Sequence, residues 1–223
     1  MPQKHAHTII IDGESLASKE ALCFELAITL MYNDQKTAIL LRPDSHIHKI
    51  IKNRKSHTQN LPTPTIICYE EYFNQLSNFD AIIIPELNND DIVATNAYTY
   101  ITLLPSDTKI LKNFNKDKSY INNIWELKKK IASTHKRSLN WVICENNIKS
   151  KITDSPSAEL TKISRMYGFR ATPPLNHLKS SFNNNTGISS QDKTNPLLSN
   201  TLSYEDICAK REIINLAEFI FNQ

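Results

Sequence analysis

Short, unbroken apolar runs separated by helical stretches constrain this 223-residue chain more than any other feature. Residues 9–11, 37–41, 65–68, 81–84, 100–104 and 140–144 are dominated by Ile, Val, Leu and other apolar residues, without polar alternation. A strand that is apolar on both faces must be covered on both faces. That is the condition of a parallel sheet between two helical layers. Residues 22–31, 70–76, 92–98, 121–133, 157–167 and 207–221 carry the intervening helical signals. The alternation predicts one doubly wound α/β domain over residues 1–223, with a mostly parallel sheet and helices on both faces. The helix at 157–167 follows Ser155-Pro156 and stops at Gly168, the usual asymmetry of an early proline and a terminal glycine. Residues 183–200, rich in Asn, Ser and Thr, predict a mobile loop.

Composition narrows the function classes. The chain is 40% hydrophobic with a formal net charge of +3, which excludes a histone-like polycation but permits a local basic face. No apolar run approaches the length needed to cross a bilayer, and residues 1–10 lack the apolar core of a signal peptide. Cys23, Cys68, Cys144 and Cys208 form no Cys-x-x-Cys pair, and three of them lie in apolar runs. Buried thiols in a reducing, cytoplasmic compartment are the expectation.

The first strand-to-helix junction carries the strongest functional signal. Residues 8–11 form a strand, residues 12–21 a loop ending in Lys19, and residues 22–31 a helix. That is the setting of a P-loop, in which glycines let backbone N–H groups curl around phosphates at a helix N-terminus. Yet only three glycines occur in the whole chain, at 13, 168 and 187, against about fifteen at average usage.

The order of landmarks resembles the ParA/MinD superfamily of deviant-Walker ATPases, and within it the MipZ branch of division-plane positioning ATPases. Phe79 to Ile84 stands where that family has its Walker B strand. Tyr100 to Asp107 is similar to its next strand, with a proline followed by polar residues. Trp125, then Arg137-Ser138-Leu139-Asn140-Trp141-Val142, is similar to a basic segment leading into a tryptophan-bearing strand. Gly168-Phe169-Arg170, Pro173-Pro174-Leu175 and Ala209-Lys210-Arg211-Glu212 match turns and a last helix of that branch. The resemblance implies a nucleotide-switched dimer that binds ATP and Mg²⁺. It also implies protein partners of ParB-like and FtsZ-like kinds, and non-specific DNA as a matrix.

The motor residues depart from the family pattern. Laid over Lys-Gly-Gly-x-Gly-Lys-Ser/Thr, Glu14 falls on the signature lysine. Ser15, Leu16 and Ser18 fall on the three glycines, where a Cβ in left-handed conformation costs about 1–2 kcal/mol. Lys19 falls on the P-loop lysine and is retained. Glu20 falls on the Ser/Thr that holds Mg²⁺; a carboxylate can ligate Mg²⁺ but adds repulsion beside phosphate oxygens. The aspartate that ends the family's second strand is missing from Leu40-Leu41-Arg42-Pro43, with Asp44 displaced. Pro85 occupies the Walker B aspartate position, with Glu86 one residue late. Ser15, Ser18, Lys19, Glu20 and Glu86 are therefore a remnant nucleotide site, and no catalytic residue is assigned.

Outside that site, eleven Lys or Arg residues lie between Lys109 and Lys151 against Asp117, Glu126 and Glu145. Lys128, Lys129, Lys130, Lys136, Arg137, Lys149 and Lys151 are the candidate phosphate-backbone contacts of a DNA-binding surface; a solvated helix face is the plain alternative. A second basic stretch holds Lys49, Lys52, Arg54 and Lys55, near His46, His48 and His57. The histidine pairs 5/7 and 46/48 lack the three or four converging ligands of a metal site, so none is assigned. Asp90 and Asp91 fit the cap of the helix at 92–98. The last helix has no Lys or Arg after Arg211, which points to core packing rather than membrane targeting. Three readings result: a non-hydrolysing interaction scaffold in division-site placement or chromosome partition, an ATPase with an unorthodox loop, and a nucleotide-independent DNA-binding protein.

Overall fold

The six apolar runs, with one short edge strand added, form the seven strands of one sheet: β1 (His7–Gly13), β2 (Thr37–Leu40), β3 (Thr65–Ile67), β4 (Ala81–Ile84), β5 (Thr99–Pro105), β6 (Asn140–Asn146) and β7 (Arg170–Ala171). Their order is β3-β2-β4-β1-β5-β6-β7, and each pairing is parallel. The computed structural model describes residues 5–13, 15–57, 60–85, 91–105, 118–147, 152–178, 187–193 and 203–221. β2 and β4 are buried at every residue, which is why their sequences show no alternation.

Eight helices cover the sheet: α1 (Leu16–Tyr32), α2 (Ile47–His57), α3 (Tyr72–Gln75, after a 3₁₀ turn at Tyr69–Glu71), α4 (Asp91–Thr95), α5 (Lys118–His135), α6 (Ala158–Tyr167), α7 (Ser190–Lys193) and α8 (Tyr204–Phe221), counted among the described residues. Side chains of successive strand residues leave on opposite faces. Ile9, Ile11, Ile39, Ile83, Val142 and Cys144 pack with α1, α2 and α8. Ile10, Leu40, Ile82, Ile84, Trp141 and Ile143 pack with residues of α3, α4, α5 and α6. The fold is the α/β, doubly wound architecture that the apolar runs predict.

Several local expectations hold. Gly168 ends α6 at φ 65°, and the helix begins one residue after Ser157, which caps it by accepting from the Leu160 N–H. α8 buries Ala209, Ile213, Leu216, Ala217 and Ile220, so it is a core helix. No helix among the described residues is long and apolar enough to cross a membrane.

Others are corrected. α1 begins at Leu16, well ahead of residue 22. α2 was hidden by its charged residues, although Ile47, Ile50, Ile51 and Arg54 share one helical face and all are buried. Within 183–200, the described residues include a one-turn helix, α7, and Ser189, Ser190, Gln191 and Asp192 are buried rather than part of a surface loop. Cys23 and Cys144 are buried as expected, but Cys68 is exposed.

Candidate functional site

In an open parallel sheet, ligands collect outside the carboxyl ends of the strands where the winding direction reverses. Here the chain leaves β1 for β2 on one side and leaves β4 for β5 on the other. The crevice at the ends of β1 and β4 is therefore the candidate site, and the residues after β1, β2 and β4 form its walls.

Gly13 closes β1 at φ 107°. A Cβ there would stand 2.2 Å from the Leu103 carbonyl oxygen, so this glycine is required by the close approach of β1 to β5. Beyond it, α1 starts almost at once. The Ser15 carbonyl accepts from the Ser18 and Lys19 N–H groups at 3.0 and 3.1 Å, and Ser15 Oγ accepts from Ser18 N–H at 3.4 Å. Asn146 Nδ2, at the end of β6, donates to Ser18 Oγ at 3.5 Å. Ser15 has φ −53° and Leu16 to Ser18 are helical. The left-handed strain expected at Ser15, Leu16 and Ser18 is therefore absent. Helix occupies the stretch where a phosphate loop would curl, and non-glycine residues suit a helix.

Lys19 and Glu20 are drawn inward by α1 and are 8% and 3% exposed. Glu20 Oε1 accepts from Ser45 Oγ at 2.5 Å and from the His46 N–H at 3.2 Å. Ser45 Oγ in turn accepts from the Ile47 N–H at 3.3 Å. Glu20 thus sits at the N-terminus of α2, where a carboxylate satisfies otherwise unpaired N–H groups and meets the positive end of the helix dipole. The expected replacement of a Mg²⁺-holding hydroxyl by Glu20 is answered by this other use. Among the described residues, no carboxylate forms an ion pair with Lys19. Leu16, Glu20, Leu41, Arg42, Ser45 and Pro85 line a cavity of about 30 Å³, which is room for a water or two. Glu14, Glu86 and Asp90 lie outside the described residues.

Two polar clusters escaped the sequence reading. In the first, Tyr100 and Tyr120 hydroxyls both donate to Asp12 Oδ2, at 2.6 and 3.0 Å, and Trp141 Nε1 donates to Thr102 Oγ1 at 3.0 Å. Burial first, then the neighbouring phenol and carboxylate, pushes the Tyr100 hydroxyl pKa up; burial and Asp12 do the same to Tyr120. Both phenols remain neutral donors; Tyr100 ties β5, and Tyr120 ties α5, to Asp12 of β1. In the second, Arg54 forms a fully buried two-point ion pair with Asp192, through Nη1–Oδ2 at 2.5 Å and Nη2–Oδ1 at 3.0 Å. Its other N–H groups reach the Pro62 and Gly187 carbonyls. Beside it, Glu25 on α1 accepts from the N–H and Oγ of Ser190. The apolar spacing of α2 around Arg54 was the available signal for an inward-facing charge.

The basic candidates divide by role. Arg137 is structural: it donates to the Ala97 and Thr95 carbonyls at 2.5 and 3.3 Å and stacks on Tyr98 at 4.0 Å. That corrects its place among free phosphate contacts. Lys129 pairs with Glu126 at 2.8 Å. Lys129, Lys130 and Lys136 are exposed, and Lys128 is half-buried. Lys149 and Lys151 lie outside the described residues. His48 Nε2 donates to the Arg42 carbonyl, and among the described residues no group of His, Cys, Asp and Glu is arranged to hold a metal.

The architecture can be compared with known proteins. The cell-division protein MinD from Aquifex aeolicus superposes with a TM-score of 0.61 over 98% of this chain and 98% of that one, at 12% identity. The chain has the fold of MinD. An ATP complex of a McdA variant from Cyanothece matches at 0.53 and 13% identity, over 98% of this chain and 97% of that one. A ParA-family ATPase from Chlorobium tepidum matches at 0.50 and 14% identity, over 96% and 98%. No family model matches the sequence, and no curated protein matches it. The likeness to MinD, McdA and ParA-family proteins is thus one of fold, over almost the whole chain.

Proposed function

We propose that this chain is a non-hydrolysing member of the MinD-like fold, closest in character to the MipZ branch, that acts as an interaction scaffold in division-site positioning or chromosome partition. The observation that carries the reading is the use of Glu20. The residue at the Mg²⁺-ligand position is 3% exposed and bonded to Ser45 and His46, so opening the site to a triphosphate would strip α2 of its cap. The helical start at Leu16 supports the same reading, because the Ser18 and Lys19 N–H groups are engaged by Ser15. Beside Glu20, the cavity it lines with Leu16, Arg42, Ser45 and Pro85 is about 30 Å³ and presents a carboxylate, which repels phosphate oxygens. Division and partition enter through the neighbours, one of which is a MinC:MinD cell division protein complex. For this chain the partners are proteins of that machinery, of ParB-like or FtsZ-like kind.

The test is Mg²⁺-dependent ATP turnover by the purified protein and by Lys19→Ala. Turnover at background in both is the expected result. Turnover that falls on replacing Lys19 would instead establish an ATPase with an unorthodox loop.

A further inference from the structure

α2 borders the crevice at the ends of β1 and β4: Arg42 and Ser45, just ahead of it, line the small cavity there. It is tied toward α1 at both ends. At its start, Glu20 of α1 accepts from Ser45 Oγ and the His46 N–H. Ile47, Ile50 and Ile51 then pack into the core. One turn on, Arg54 continues that buried row as a charge, and it is fully buried. Its five N–H groups are all used: two on Asp192, two on the Pro62 carbonyl and one on the Gly187 carbonyl. The last turn of α2 is therefore tied to segment 187–193. That segment is in turn pinned to α1. Asp192 accepts from the Tyr32 hydroxyl at 2.8 Å, Glu25 accepts from the N–H and Oγ of Ser190, and Gln191 Nε2 donates to Thr29 Oγ1 at 3.0 Å. Gly187 lies so near α2 that a Cβ there would stand 2.7 Å from the Ile50 carbonyl oxygen.

We propose that α2 is a latch beside the crevice, with Glu20 as one clasp and segment 187–193 as the other, and that undocking this segment frees the whole helix and opens the crevice wall. The helix is eleven residues long, a length that is marginal without tertiary support. It also carries Lys49, Lys52, Arg54 and Lys55, so little but docking holds it. The Arg54–Asp192 pair makes that docking close to all-or-none. Intact, it is satisfied; with Asp192 withdrawn, a guanidinium would be left buried without its counterion, which costs more than the pair contributes. Undocking 187–193 therefore expels Arg54 from the core, and the short helix follows. Access to the crevice is thereby set from a segment far from it in the chain, through one two-state element that both ends bias. The crevice half of this inference rests on the reading that Glu20 closes the site.

Residue-resolved hydrogen exchange by NMR on the full chain, without nucleotide, tests it in wild type, Asp192→Asn, Tyr32→Phe and Glu20→Gln. The His46 amide, held by Glu20, reports the crevice wall. Ile50 and Ile51 report α2, Ser190 reports the far clasp, and Ile83 of β4 reports global unfolding. In wild type, His46, Ile50, Ile51 and Ser190 should share one opening equilibrium, less protected than Ile83. Asp192→Asn should lower protection at His46, Ile50 and Ile51 together by about a hundredfold, since it breaks a buried pair from one side. Tyr32→Phe removes one hydrogen bond to Asp192 and keeps the ring, so it should act in the same direction by about tenfold, and it decides the matter if Asp192→Asn does not fold. Glu20→Gln should lower protection at Ser190, because coupling is reciprocal. A loss confined to 187–193 and the last turn of α2, with His46 unchanged, overturns the proposal. So does wild-type α2 that opens only together with Ile83. ATP turnover is not read in this experiment: turnover that depends on Lys19 would remove the non-hydrolysing reading and leave the latch, whereas an unchanged His46 would remove the latch and leave Glu20 as the cap of α2.

Discussion

The carboxyl and amino edges of this sheet differ in how their polar groups are used. At the carboxyl edge, Ser15, Ser18 and Glu20 are bonded to neighbouring backbone or side chains, and the cavity that Glu20 lines with Leu16, Arg42, Ser45 and Pro85 is about 30 Å³. At the amino edge, Lys128 and Arg170 border an open concavity of about 450 Å³ from opposite faces of the sheet, with no carboxylate paired to either among the described residues. A sequence template directs attention to the first edge. Physical chemistry weakens that pointer, because a group that already has its hydrogen bonds gains little from a ligand. Position in a motif and availability for binding are separate properties.

Four substitutions or titrations sharpen that contrast, beginning with the largest effect. Gly13→Ala should destabilise the protein by about 3 kcal/mol or more, from left-handed strain and from overpacking against β5. Denaturant unfolding measures it; a loss below about 1 kcal/mol would mean the carboxyl edge is loose enough to rearrange around a ligand. Acid should then act at the amino edge through His7, at the start of β1. Burial, then the nearby Arg137 charge, lowers its pKa from 6.5 to about 4. The unfolded chain therefore binds the extra proton between those values. The His7 contribution is intact above pH 6.5 and is lost as pH falls toward 4, by up to about 3 kcal/mol at 1.36 kcal/mol per unit. Stability curves across that window should be flatter in His7→Gln; an unchanged slope would remove the argument.

Glu20→Ala comes next. It deletes the acceptor for Ser45 Oγ and His46 N–H and should cost about 1–3 kcal/mol. Were Glu20 a ligand-site residue held for Mg²⁺, removing it would leave stability unchanged or raise it. The smallest effect is expected at the other edge. Lys128→Gln and Arg170→Gln should each change unfolding free energy by under about 1 kcal/mol, the scale of an exposed charge or a cation–π contact. A larger loss would make these cations structural, like Arg137.

Six of the strands were legible because they are apolar: residues 81–84 stand as β4, and the other five gained or lost only terminal residues, while the two-residue β7, half-buried and carrying Arg170, was missed. The ends of α6 were legible because Ser157 and Gly168 have local cap chemistry. The start of α1 was not. Ser15 is an ordinary N-cap residue, but the neighbouring Lys19 and Glu20 suggest a polar loop, and only the fold, which packs α1 on the sheet and bonds Glu20 to Ser45 and His46, buries them. The segment around α7 was missed for a related reason. Ser189, Ser190 and Asp192 are buried because Glu25 and Arg54, far away in sequence, supply their partners, and composition carries no record of such long-range pairing. The amino-edge cations were half legible: Lys128 was singled out within the basic run, but Arg170, on a two-residue edge strand, was not.

The central proposal is that the crevice after β1 does not take nucleotide, because Glu20 caps α2 and α1 starts at Leu16. Isothermal titration of purified protein with ATP and Mg²⁺, run beside Lys19→Ala, tests it most directly. The account predicts no heat of binding at the carboxyl edge up to millimolar nucleotide, with wild type and variant alike. Micromolar binding that Lys19→Ala abolishes would contradict it, since α1 would then have to unwind from Leu16 and Glu20 release α2 to admit the phosphates.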